Sequence, residues 1–280
     1  MMQQRNRHTL GQVLLIILVT TFALLQLFPL IWLVDFSLLK SGDLFGADLL
    51  KWPEVPQFSN YVTAWTRGSI PLYFLNSVMV CFTTVGATLY LALTLSYALK
   101  RMHWKFSKFF LIVILLGMMI PVHTTLLPNF IVFNFLGLRD NFLSLIVPYV
   151  AFSMPFAVFI MTGFLESVPK SLEESAKMDG CGDFAIALRI IMPTTKPALV
   201  TIAILTFITC WNEFIMAATY LGNEALKTLP FAIFKFTTQF GADYALQFAV
   251  MVIGTLPSLL LFLIFNRQIT KGIMDGAVKG

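Results

Sequence analysis

Six stretches of the chain are apolar for long enough to cross a membrane, near residues 10–34, 75–98, 109–135, 142–165, 198–220 and 246–266. A spanning helix needs about 20 largely apolar residues, and none of the six contains a lysine or arginine. The pattern predicts an all-α membrane protein with six transmembrane helices. Arg5 and Arg7 precede the first stretch as they would in a signal peptide. At about 25 residues it is too long for such an apolar core, and no small-residue cleavage site follows, so it is read as a retained helix. Proline interrupts several spans: Pro121 and Pro128 in the third, Pro148 and Pro155 in the fourth, Pro257 in the sixth. Each removes a helical hydrogen bond and predicts a kink, and in a bilayer the freed carbonyl must face protein or water. Ordinary kinks and a pathway lined by spans three and four both satisfy that condition.

Charge orients the spans. Of the 19 Lys and Arg, thirteen fall in the N-terminal tail, 99–108, 166–197 and the C-terminal tail, and six in the intervening loops. Positive loops stay in the cytoplasm, so both termini are expected there. The run Lys100-Arg101-Met102-His103-Trp104-Lys105 is the clearest stop. Composition agrees: 58% of residues are hydrophobic and 12% charged, against about 25% charged in a soluble domain. The net charge of +5 then reports loop placement rather than nucleic-acid binding. Cys81, Cys181 and Cys210 are scattered, with no zinc or disulfide spacing. No phosphate-loop, zinc-protease or nucleophile-elbow motif occurs, and His8, His103 and His123 sit at or beyond span ends. No internal repeat is visible.

Two loops and one buried acid are candidates for function. The segment 35–74 mixes Asp43, Asp48, Lys51, Glu54 and Arg67 with Trp52, Tyr61 and Trp65, which suits either a docking surface for an external protein or an interfacial lid. In 166–197, Ser171-Leu172-Glu173-Glu174 has the form of a capping box. The helix it opens is expected to stop at Gly180, because glycine tolerates the left-handed position past a helix end. Ala176 and Gly180, four apart and small, predict a face that another surface can approach closely. A second helical piece is expected from about Asp183 to Met192, before Pro193. Glu213 is the one carboxylate inside a span. A charge at the bilayer centre costs about 2.5–3.5 kcal/mol on insertion scales, so it should face the bundle interior. Either Asn212 and Glu213 bond a polar substrate or gate, or a partner chain or unwound backbone satisfies them.

Glu174-Ser175-Ala176, three residues, Gly180, nine residues, Ile190, one residue and Met192-Pro193 resembles the EAA loop of ABC-importer permeases, with Ser175 in place of alanine and Met192 in place of leucine. Tyr97-Ala98-Leu99-Lys100-Arg101, Trp211-Asn212-Glu213-Phe214 and Thr228-Leu229-Pro230 also match, and Gly276-Ala277-Val278-Lys279-Gly280 resembles the tail of MalG-like permeases of carbohydrate importers. The resemblance covers roughly residues 70–280 and implies a type I ABC importer permease fold. It divides the chain into an N-terminal helix and extracytoplasmic segment (1–69), a permease core (70–266) with coupling loop 166–197, and a cytoplasmic tail (267–280). The implied protein is a multi-pass subunit of the bacterial cell membrane, working with a MalF-like second permease, two ABC ATPase subunits and an extracytoplasmic sugar-binding protein, among membrane lipid and without nucleic acid. ATP and magnesium would be bound by the ATPases, leaving this chain non-catalytic and without a cofactor. By the resemblance Glu174 is the charged contact with the ATPase, Ser175, Ala176, Asp179, Gly180 and Pro193 complete the coupling segment, and Lys279 and Gly280 reach the ATPase interface. Asn212 and Glu213 are candidates for the path or gate. A glycerol-phosphate permease of the same family is the nearest alternative, and an ion-coupled carrier a more distant one, since one buried acid and no repeat are poor signs of it.

Overall fold

The computed structural model describes residues 10–42, 52–102, 104–238 and 241–277. His8, Asp43, Asp48, Lys51, His103, Lys279 and Gly280 lie outside the described residues. The helices are α1 (Leu10–Ser37), α2 (Ser59–Arg67), α3 (Ile70–Lys100), α4 (Ser107–Leu116), α5 (Leu126–Phe135), α6 (Leu143–Ser167), α7 (Ser171–Met178), α8 (Asp183–Ile186), α9 (Met192–Thr194), α10 (Lys196–Trp211), α11 (Ile215–Tyr220) and α12 (Tyr244–Ala277). The two-residue strands Thr237–Thr238 and Gly241–Ala242 pair antiparallel before α12. Among the described residues, four helices are long and apolar enough to cross a membrane, or up to six if each of two bent pairs counts as one span.

The third span is a broken element. Ser107–Met119 and Val122–Phe135 meet at 94°. The break falls at Ile120, whose φ of −79° and ψ of 116° are extended, the conformation that the ring of Pro121 imposes on the residue before it. Pro148, Pro155 and Pro257 stay inside continuous helices. The fifth span is also interrupted: α10 ends at Trp211, and α11 begins only at Ile215. Its 16 residues rise about 24 Å, short of the roughly 30 Å hydrocarbon core.

The chain divides into two compact units. One takes the described residues up to Ile70 with Ala232–Gly254. In it Asn60 donates from Nδ2 to the carbonyls of Ser37 (2.9 Å) and Leu39 (2.8 Å), tying α2 to the end of α1. The rings of Trp32 and Phe36 lie tilted at 48° with centroids 4.2 Å apart, and Phe248 of α12 meets the Trp32 ring edge-on. Most of α1 stays exposed, from Val13 through Ile31. Lipid is as apolar as a leucine side chain, so such a helix needs no protein core to be stable.

The other unit takes Pro71–Phe231 and the described residues from Thr255 onward. Here α6 packs against α4 and α10. Gly117 lies so close to α6 that a Cβ added there would meet Pro155 Cγ at 2.8 Å. Along α3, Ser77, Cys81, Thr84, Thr88, Ala92 and Ser96 form a buried stripe at three- and four-residue spacing. Small side chains let helix backbones approach, which is how van der Waals packing holds helices together without a hydrophobic driving force.

At the start of α3, Tyr73 Oη donates to Glu224 Oε2 (2.8 Å), and Asn76 Nδ2 donates to the carbonyls of Ala225 and Lys227 (2.9 Å each). The adjoining turn is held by Asp140, whose Oδ1 accepts from the amides of Gly222 (2.5 Å) and Asn223 (2.7 Å). The Asn223 amide above all holds this carboxyl below its usual 3.8; desolvation opposes it, and the Gly222 amide and the cations Arg139 and Lys227 add smaller effects in the lowering direction. A lowered carboxylate pKa stabilises the fold fully above its unfolded value, and the contribution is lost as pH falls through the folded value. The purified protein should therefore melt at a higher temperature than Asp140→Ala by the same margin from about pH 8 to pH 5, and the margin should close only below about pH 4. A margin that closes near neutrality would refute the assignment.

Candidate functional site

The segment between α6 and α10 is built to stop, turn and stop again. Val168 is extended before Pro169 and closes α6. In α7 the amides of Glu173 and Glu174 donate to Lys170 O at 2.9 and 3.0 Å. The capping box expected of Ser171 and Glu174 does not form. The helix begins one position early, with Ser171 inside it and Lys170 as N-cap, and no side-chain cap is made. The backbone carbonyls of Pro169 and Lys170 receive the first amides instead. Glu173 and Glu174 lie in the first turn, where carboxylates favour the helix dipole.

The helix ends as its glycine demands. Gly180 has φ of +82°, its amide donates to Lys177 O (3.0 Å), and the Cys181 amide donates to Ala176 O (2.9 Å). These two bonds are the Schellman termination, which needs a left-handed residue at that position. Asp179 is the C-cap just before it. Beyond Gly182 come α8, a π turn over Ala187–Ile191 and α9, with Pro193 in its first turn. A bend of 82° then separates Asp183–Thr194 from Lys196–Trp211.

Face by face, α7 differs from what spacing alone implies. Glu173 and Ala176 point inward, and Ala176 is packed in a core with Tyr97, Leu165, Val168, Ile186, Ala187 and Ile191. Ala176 and Gly180 therefore do not form a shared open face: Ala176 is spent inside the chain, and Gly180 lies exposed past the helix end. Ser171, Glu174, Ser175 and Met178, at i, i+3, i+4 and i+7, form the outward face instead. Met178 is 91% exposed. Nothing in the sequence singles out Met178, because a lone methionine on a short helix carries no signal until the inward face is known. Asp179 and Pro193 are exposed as well. The exposed pair Lys177 Nζ to Asp183 Oδ1 (2.9 Å) links α7 to α8.

Asn212 and Glu213 sit at the far end of α10, about 24 Å of helix rise from this loop, so the two groups are separate sites. Asn212 is the exposed C-cap of α10, and its Nδ2 donates to Ile208 O (2.9 Å). Glu213 turns toward α11: Oε1 accepts from the Met216 amide (2.7 Å), and Oε2 accepts from the Ala217 amide (3.3 Å) and from Tyr149 Oη (2.5 Å). Three donors thus surround one carboxylate at a helix start, where unsatisfied amides concentrate. The geometry matches the unwound-backbone alternative for this acid. Tyr149, its partner from α6, carried no signal in the sequence. Among the described residues, no group of three or more His, Cys, Asp and Glu could hold a metal ion.

Residues 89–273 match the family described as binding-protein-dependent transport system inner membrane component. The chain is 31% identical to the sulfoquinovosyl glycerol transport system permease protein SmoH of Agrobacterium fabrum, over 91% of this chain and 89% of that protein. It is 31% identical to the trehalose transport system permease protein SugB of Mycobacterium tuberculosis, over 94% of this chain and 95% of that one. With the arabinooligosaccharides transport system permease protein AraQ of Bacillus subtilis it shares 30% identity over the full length of both. Its fold is that of a chain from a bacterial ABC transporter involved in the import of the acidic polysaccharide alginate, with a TM-score of 0.81, 22% identity, and 95% and 98% of the two chains covered. The broken spans, the turn-and-stop loop and a match that spans both place this chain in the family of binding-protein-dependent transport system inner membrane components, the membrane permeases of ABC transporters.

Proposed function

We propose that this chain is the MalG-like permease of an ATP-driven importer of a di- or oligosaccharide, and that the outward face of α7 is where an ABC ATPase docks. The observation that carries the reading is the asymmetry of that helix. Its inward face is committed to the chain's own core, while Glu174, Ser175 and the 91% exposed Met178 are presented together beside the left-handed Gly180. An exposed acid beside an exposed apolar knob suits a cleft with a basic rim and an apolar floor. ATP and magnesium are then bound by two ATPase subunits and this chain carries out no catalysis. A MalF-like second permease completes the path, and an extracytoplasmic sugar-binding protein delivers the cargo. On this reading both termini are cytoplasmic, on the side of α7, and the role of Lys279 and Gly280 at the ATPase interface rests on the resemblance of the tail alone.

The named substrates of the relatives, trehalose and arabinooligosaccharides among them, support a sugar. The six apolar stretches contain no lysine or arginine, which favours a neutral cargo over a glycerol phosphate. Glu174→Lys is expected to lower binding-protein-dependent uptake by about tenfold or more and to weaken co-purification of the ATPase, since a like charge placed against a basic site costs on the order of several kcal/mol and about 1.4 kcal/mol is already tenfold. Uptake and co-purification both at wild-type levels would sink the docking reading.

A further inference from the structure

Arg101, the residue after α3, reaches into the loop from behind. Its Nη2 donates to the carbonyls of Leu165 and Val168 at 2.6 Å each, where α6 ends. Its Nε lies 3.1 Å from Glu173 Oε1 in α7, as an ion pair. Both side chains are sequestered, at 7% and 10% exposure. Beside them, Tyr97, Leu165, Val168 and Ala176 close one apolar cluster. Lys100 adds an exposed pair to Glu166 Oε1 at 2.5 Å. One guanidinium therefore joins three elements: the end of α3, the end of α6 and the inward face of α7.

The chemistry of that joint is selective. A buried ion pair is weak as a source of net stability, because desolvating both ions offsets their attraction, yet removing one partner is severe. What it supplies is a single geometry. The planar fork of arginine serves several acceptors at once, and the point charge of lysine does not. Glu173 and Glu174 are adjacent but face different ways, Glu173 to Arg101 and Glu174 to solvent.

We propose that Arg101 is a positioning residue: through Glu173 and the carbonyls of α6 it locks α7 to the ends of α3 and α6, so that displacement of the loop moves both helices as one body. The role rests on the reading of α7 as an ATPase-docking helix. Neither Arg101 nor Glu173 faces outward, so neither takes part in docking. Force applied at the outward face reaches the spans through this pair, as in other rigid-body transitions.

The test uses the whole transporter in liposomes, with its second permease, ATPase subunits and binding protein, and compares Arg101→Lys and Glu173→Gln with wild type. Both variants are expected to keep the ATPase bound and hydrolysing within about twofold, while sugar molecules imported per ATP fall by about fivefold or more, the lower end of ordinary coupling effects. Unchanged import per ATP would overturn the proposal. So would loss of ATPase association in both variants, since the pair would then belong to the docking surface. Failure of the docking reading itself is separate, and shows as Glu174→Lys that still binds ATPase normally. A further measurement does not disturb the pair. With spin labels on Lys177→Cys and Met102→Cys, in a Cys181→Ser background, the distance between labels should stay within about 2 Å from the nucleotide-free to the ATP-trapped state. A larger change would show that α7 moves independently of α3 and defeat the rigid-body claim.

Discussion

Gly180→Val is expected to lower ATP-driven uptake by about tenfold or more while leaving the amount of chain in the membrane close to normal. A Cβ at this position would meet nothing of the chain within 4 Å, so no internal clash is introduced. The cost is in the backbone. At φ of +82° a β-branched residue pays about 1–3 kcal/mol, and about 1.4 kcal/mol already shifts an equilibrium tenfold. The least costly relief is to unwind the last turn of α7, which breaks the bonds from Gly180 and Cys181 to Lys177 and Ala176 and displaces Met178. Gly180→Asn separates the two causes that a larger side chain combines. Asparagine tolerates the left-handed region but still adds bulk. Recovery of uptake with asparagine assigns the defect to backbone strain, and an asparagine variant as poor as valine assigns it to bulk against the docked ATPase. Wild-type uptake in Gly180→Val would refute both.

Glu213→Leu should cost about 2–4 kcal/mol of stability, because it strips the acceptor from three donors at once. The amides of Met216 and Ala217 and the hydroxyl of Tyr149 would each lose the acceptor that the carboxylate gives them at the start of α11. The loss should appear as a lower melting temperature of the purified protein, with α11 the first helix to exchange its amides. Glu213→Gln keeps an acceptor oxygen and should recover most of the loss. In that variant the sugar concentration for half-maximal uptake should stay unchanged, since the carboxylate is occupied by its own chain. A shift of tenfold or more in that concentration, at normal stability, would instead make Glu213 a substrate ligand.

Much of the architecture was legible in the chain because insertion into lipid is a local, additive property. A stretch such as 246–266 is apolar whatever surrounds it, and it lies within one continuous helix. The left-handed stop at Gly180 was legible for a similar reason, since only a residue without Cβ adopts that conformation freely. The loop's fixed gaps from Glu174 to Pro193 were legible as a resemblance, and the family match bears out the kinship they implied. Breaks were half legible. Pro121 announces a disturbance, but nothing local distinguishes a mild kink from the 94° turn that is found. The break after Trp211 has no proline at all and rests on Glu213 taking over the amides of α11.

What the sequence by itself determined, then, is where the chain is apolar, where the helix of the loop must stop, and which family it joins. Only the tertiary structure decided which way the side chains of that helix face. Glu173 and Glu174 are chemically alike and adjacent, and a helix turns them apart by about 100°. One meets Arg101, brought in from the end of another helix, and the other is left in solvent. The same holds for Ala176, buried by Leu165 and Ile186, and for Glu213, whose third donor comes from Tyr149 on α6. Hydropathy and backbone sterics act within a few residues, so the sequence displays them directly. A partner supplied by a distant helix is fixed only when that helix has packed.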